Sequence, residues 1–152
     1  WFALQDIEAD SGPLHYFPGS HRLPYLSAHA LGLAPDVIEA EPHPQTLFEP
    51  HWQQAVTDHG FRQENFLARR GDVLVWHANL LHGGELVLNR QLRRWSQVVH
   101  YFFADCFYTT PMRNFGHKQG GAFLRNPYDL ASGTTRYSPS AWRQLGLTHQ
   151  SQ

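Results

Sequence analysis

Two histidines close the stretch Gly71-Asp72-Val73-Leu74-Val75-Trp76-His77-Ala78-Asn79-Leu80-Leu81-His82-Gly83-Gly84. Imidazole is the commonest metal ligand and the near-neutral proton carrier, so their placement decides what they can do. Side chains alternate faces along a strand. His77 and His82 lie an odd number of residues apart, so an unbroken strand turns them to opposite sides and they do not chelate one metal together. Gly83-Gly84 leaves open space beside the His82 ring, which a metal with exchangeable ligands needs. His77 follows Trp76 and suits a structural hydrogen bond. On these grounds His82 stays open between a metal ligand and a satisfied structural histidine.

A second group follows at Arg93-Arg94-Trp95-Ser96. An arginine aimed into an apolar interior is costly unless an anion meets it. A guanidinium matches a carboxylate with two parallel hydrogen bonds. Arg94 and Ser96 are two apart and share a face of a strand, so together they can grip a small dicarboxylate. The alternative places both arginines in water at a strand end.

These groups need elements to hold them. Val73 to Trp76 is a β-branched run that reads as a strand. Leu80 to Gly84 reads as another, and Trp95 to Phe103 as the longest. Near the start, Trp1 to Ile7 nearly alternates apolar and polar residues, Asp10-Ser11-Gly12-Pro13 is a turn, and Leu14 to Phe17 is a short aromatic strand. Residues 1–17 are therefore expected to form a hairpin. Residues 22–65 carry five prolines and little sustained period. They read as a long excursion, a lid or a surface insertion, with helical turns around His51 to Thr57. Ser138 to Gly146 has the capping residues of a short helix. Many short strands, Gly/Pro turns and no long amphipathic helices between strands predict a mainly β fold, a sandwich or jelly roll, as one domain over residues 1–152.

Composition narrows the classes. The chain has 152 residues, 41% hydrophobic and 16% charged, with a formal net charge of −1 and 11 histidines. That suits a globular domain. Neither a basic stripe for nucleic acid nor an apolar run near the ~20 residues of a membrane span is present, and no stretch reads as a secretory signal. The lone Cys106 cannot close a disulfide within the chain, which fits a reducing, cytoplasmic setting.

With these residues in view, the chain resembles the phytanoyl-CoA dioxygenase-like proteins among the Fe(II)- and 2-oxoglutarate-dependent oxygenases. The matching pieces are Trp1-x-Ala3-Leu4-x-Asp6-Ile7, Gly12-Pro13-Leu14 with Pro18-Gly19-Ser20-His21, Gly71-Asp72-Val73-Leu74, Leu80-Leu81-His82-Gly83, and Arg94-x-Ser96 with His100-Tyr101. They stand in the family's order over roughly residues 1–104. The resemblance implies a double-stranded β-helix (jelly roll, cupin-like) with short flanking helices. It implies Fe(2+) as cofactor and 2-oxoglutarate as cosubstrate. It implies a small-molecule substrate and dioxygen as partners, and hydroxylation with release of succinate and carbon dioxide. Carried over residue by residue, His82 falls on the distant iron-ligating histidine. Arg94 falls on the arginine for the far carboxylate, with Ser96 as its companion hydroxyl; a count forward from His82 favours Arg93 instead. Trp1 falls on a tryptophan lining the cosubstrate pocket, and Tyr16, Phe17 and Trp76 are candidates to wall it. Where the family often has a serine two after that histidine, this chain has Gly84.

The family's other two iron ligands form a His-x-Asp pair, and neither His-x-Asp nor His-x-Glu occurs in these 152 residues. The expectation is that the chain is the C-terminal part of a jelly roll, incomplete at its N-terminus, with that pair upstream of Trp1; Asp6 is a remote substitute. Two other readings use the same fold. One is a cupin-type metal-dependent isomerase or epimerase, which does not require Arg94 to face inward. The other is a non-catalytic binding module that uses Trp52, Tyr108 and Trp142.

Overall fold

A computed structural model describes residues 1–103, 106–115 and 122–136, and these fall into two units. One comprises Trp1–Pro24 with Phe48–His100; the other holds Tyr25–Leu47 with the described residues from Tyr101 onward.

The first unit carries the motifs. Strand β1, Phe2–Ala3, pairs antiparallel with Ser96–Gln97, numbered β5 in chain order. On its other edge residues 1–3 bond to residues 71–74. Ala3 N–H donates to Asp72, Leu74 N–H to Trp1, and Gly71 N–H to Ala3. A second sheet has β2, Leu14–Tyr16, at its centre, with β3, Glu64–Phe66, on one side and β4, His82–Gly84, on the other. Its registers set Leu14 opposite Phe66 and Gly84, and Tyr16 opposite Glu64 and His82. These six residues therefore share one face, while His15, Asn65 and Gly83 share the other. The core is Trp1, Ala3, Ile7 and Ala68, with Phe66 and Trp76 packed against it.

The expected hairpin over residues 1–17 does not form, because β1 and β2 lie in different sheets. Ser11 donates N–H and Oγ–H to the Glu8 carbonyl, and Gly12 takes φ +74°. That turn sends the chain into a new sheet instead of back along β1. The run Val73 to Trp76 forms no strand; it meets β1 through a bridge from Val73 to Phe2 and reciprocal bonds between Leu74 and Trp1. In the run Trp95 to Phe103 only Ser96–Gln97 is laddered. Both runs have strand propensity, but β1 is too short to partner more of them, and propensity without a partner makes no strand.

In the region read as an excursion, the turns expected near His51 are helix α2, Glu49–Asp58, which is preceded by the six-residue helix α1, Pro35–Ala40, of the second unit. Helix α2 opens with Glu49 and Pro50 and ends at Gly60 (φ +63°). Gly60 N–H donates to Thr57 and Phe61 N–H to Val56, the paired bonds that satisfy a helix's last carbonyls.

In the second unit, β6, Thr109–Asn114, pairs with β7, Ala122–Leu124. A small ladder joins β8, Tyr128–Asp129, to β9, Thr134–Thr135. Among its described residues Ala28, Ile38 and Phe115 are buried and apolar. Among the described residues the fold is mainly β with short helices, in four small sheets and without a closed barrel. The expected helix at Ser138 to Gly146 lies outside the described residues.

Candidate functional site

His82 starts β4 on the face it shares with Tyr16 and Gly84. Its Nδ1 lies 2.8 Å from the Leu80 carbonyl oxygen. A carbonyl only accepts, so in the neutral ring Nδ1 carries the proton and the Nε2 lone pair is left for a ligand. The ring is exposed and stands 5.1 Å from that of Trp76. His77 is used differently. Its Nδ1 accepts the Asn79 N–H at 3.1 Å, the structural role expected of it. The chain turns at Ala78-Asn79, so no unbroken strand joins the two histidines.

The segment before His82 is tied to the Pro18-Gly19-Ser20-His21 turn. Ser20 is fully buried, and its Oγ accepts the Leu81 N–H at 2.9 Å. Phe17 N–H donates to the Leu81 carbonyl, and Asn79 Nδ2 donates to the carbonyls of His21 and Leu23. The sequence reading gives no role to Ser20 or Asn79. The signal was there in a serine and an asparagine, each able to bond backbone groups, next to the chemistry-bearing strand.

Arg94 reaches the same face. Its Nη1 donates to the Gly12 carbonyl at 2.7 Å, and a side chain built at Gly84 would begin 3.4 Å from that nitrogen. The guanidinium thus lies over β4, two residues along from His82. Ser96 is paired with Ala3, a core residue, so its side chain points to the side of β1 that packs on Trp1. Trp1 is buried, with its ring edge-on to Phe66 at 5.6 Å. Phe66 is on the His82 face of its sheet, and Trp76 touches both the core and His82. The contacts thus run from His82 to Trp76, from Trp76 to the core that holds Trp1 and Ala3, and from Arg94 to Gly84 on the His82 strand. Arg93 contributes only its carbonyl, which accepts from Gln5 Nε2.

On the opposite face, Gly83 lies under the His15 ring, and a Cβ there would sit 2.9 Å from it. His15 Nδ1 is 2.9 Å from Glu85 Oε1, which also accepts from Gln63 Nε2. Tyr16, next along β2, donates its hydroxyl to Glu64 at 3.0 Å. Burial, and then the Glu64 carboxylate, push its phenol above the usual 10.0.

The donors for iron are incomplete. Among the described residues no three His, Cys, Asp or Glu side chains gather as a metal site. The Asp6 carboxylate is taken up by the Arg70 N–H at 2.7 Å. His82 alone does not amount to an iron site, so the residues present do not fit the metal. Of the aromatics weighed for a binding module, Trp52 and Tyr108 are half-buried: the Trp52 ring is tilted 33° against that of Phe48, and Tyr108 stands edge-on to Phe102. Trp142 lies outside the described residues. A cavity of roughly 480 Å³ in the second unit, lined by Ile38, His43, Met112 and Arg113 among others, involves none of the motif residues.

His82 and Ser96 lie in short antiparallel strands of a mainly β scaffold, with the Arg94 guanidinium over β4. Comparison with family models matches phytanoyl-CoA dioxygenase (PhyH) over residues 1–95. The chain belongs to the phytanoyl-CoA dioxygenase family, within the Fe(II)- and 2-oxoglutarate-dependent oxygenases. Neither curated proteins nor solved structures gave a match. Among the described residues no helix is long and apolar enough to cross a membrane.

Proposed function

We propose that this chain serves an Fe(II)- and 2-oxoglutarate-dependent dioxygenase that hydroxylates a small molecule and releases succinate and carbon dioxide. Its residues hold the cosubstrate. Arg94 receives the far carboxylate, Ser96 adds a hydroxyl donor, and Trp1 walls the pocket. His82 offers Nε2 as one metal ligand. Activity then requires further iron ligands beside His82; no His-x-Asp or His-x-Glu occurs in these 152 residues. The observation that carries this reading is the Arg94 guanidinium lying over Gly84, two residues from His82 on one strand face.

The substrate and dioxygen are the partners. The formal net charge of −1 gives no reason to expect a nucleic-acid partner. Succinate formation by the natural protein that carries these residues, with iron(II), 2-oxoglutarate and dioxygen, tests the proposal. Arg94→Ala and His82→Ala are each expected to lower turnover on the order of a hundredfold or more, the scale of losing a charge-assisted contact. Turnover that needs no iron, or that survives both substitutions, would overturn it. Residues 1–152 alone are expected to bind 2-oxoglutarate without consuming it.

A further inference from the structure

We propose that Gly12 is a positioning residue whose carbonyl oxygen fixes the Arg94 guanidinium before any ligand arrives; this rests on the reading of Arg94 as the cosubstrate's carboxylate partner. A free arginine side chain samples many rotamers, and holding it in place before binding reduces what binding must spend in ordering it. Here the N⁺–H···O=C contact is 2.7 Å, in the range of a charge-assisted bond. It uses one of five N–H donors and leaves four for an anion. A lysine at 94 would need its single nitrogen for both partners.

The backbone at Gly12 suits the task. It is buried at φ +74°, and a Cβ there would meet the Glu85 carbonyl at 2.8 Å and Val87 Cγ2 at 2.9 Å. Both neighbours belong to the segment that continues from β4: Glu85 N–H donates to Pro13, and Ser11 bridges to Val87. Glycine alone lets the turn press against this segment. The strand that carries His82 is thereby tied to the carbonyl that holds Arg94. Gly84 completes the slot. With no side chain it lets the guanidinium lie against the strand, 3.4 Å from where a Cβ would stand.

The test needs no turnover. In the whole chain with ¹⁵N-labelled arginine, the guanidinium NMR signals of Arg94, assigned by their loss in Arg94→Lys, report its restraint. Without ligand, its Nη protons are expected to be resolved and to exchange several-fold more slowly than those of Arg93 or Arg90. Adding 2-oxoglutarate is expected to move the Arg94 signals, and Arg94→Lys, which keeps the charge, to weaken binding by about tenfold or more. Rapidly averaged Nη signals in the ligand-free chain would overturn the role given to Gly12. Resolved signals that 2-oxoglutarate does not move would uphold that role and sink the cosubstrate reading instead. Gly12→Ala, if it folds, is expected to restore averaging; folded protein with Arg94 still restrained would count against the proposal.

Discussion

At the scale of single residues, the site depends on atoms that are absent as much as on those present. Gly83 has no side chain because the His15 ring occupies that space. Gly83→Ala forces the ring away from Glu85 and is expected to cost about 1–3 kcal/mol, typical of overpacking. Chemical denaturation measures it, and His15→Ala in the same chain should return most of the loss. Ser20→Ala leaves the Leu81 N–H without its acceptor in a fully buried position. A loss of about 1–3 kcal/mol is expected, read as a fall in melting temperature. In the second unit the Asp129 carboxyl is held below its ordinary 3.8, first by the Ala131 N–H and then by Ser132. Its folded value is depressed, so the stability it adds is present above pH 3.8 and is lost as pH falls through the lowered value. An NMR titration of Asp129 should give a midpoint under 3.8, and the Ala131 amide should shift with it.

At the scale of elements, the spacing of the candidate residues was legible and much of the pairing was not. His82 before two glycines left a metal ligand and a structural histidine both open, and Arg94-x-Ser96 predicted a shared face. These are local facts of spacing, and the strand period carries them. Partner choice is not local. Leu14 to Phe17 looked like the return arm of a hairpin from Trp1, yet Leu14–Tyr16 took β3 and β4, from residues 64–66 and 82–84. The information that decides this lies at Gly12, where a positive φ redirects the chain, and a glycine before a proline does not disclose the sign of its φ. The run to Phe103 shows the same limit. Its composition is that of a strand, but Tyr101 and Phe103 are each 76% exposed and lie in no strand among the described residues. Helix α2 was legible only as helical turns around His51 to Thr57. Its stop at Gly60 follows from the left-handed C-terminal cap, and Gly60→Ala should cost roughly 1 kcal/mol, seen as a lower melting temperature.

At the scale of the molecule, the family motifs lie within Trp1–Pro24 and Phe48–His100, the two segments of the first unit, apart from Tyr101 at their end. Apolar side chains stand uncovered in the same unit: Val75 is 82% exposed, Leu86 79% and Leu88 72%. Such surfaces favour association. Light scattering of residues 1–152 is expected to rise with concentration, and Leu86→Lys with Leu88→Lys should suppress the rise; a chain that stays monodisperse without them would contradict this. Strand β4 has a last consequence. His15 claims one side of it and Arg94 the other, at adjacent positions. A mutagenic scan of just those two codons would therefore separate two phenotypes usually entangled in enzyme engineering. Changes at 83 should register as heat sensitivity, and changes at 84 as altered capture of a diacid, each serving as the other's internal control.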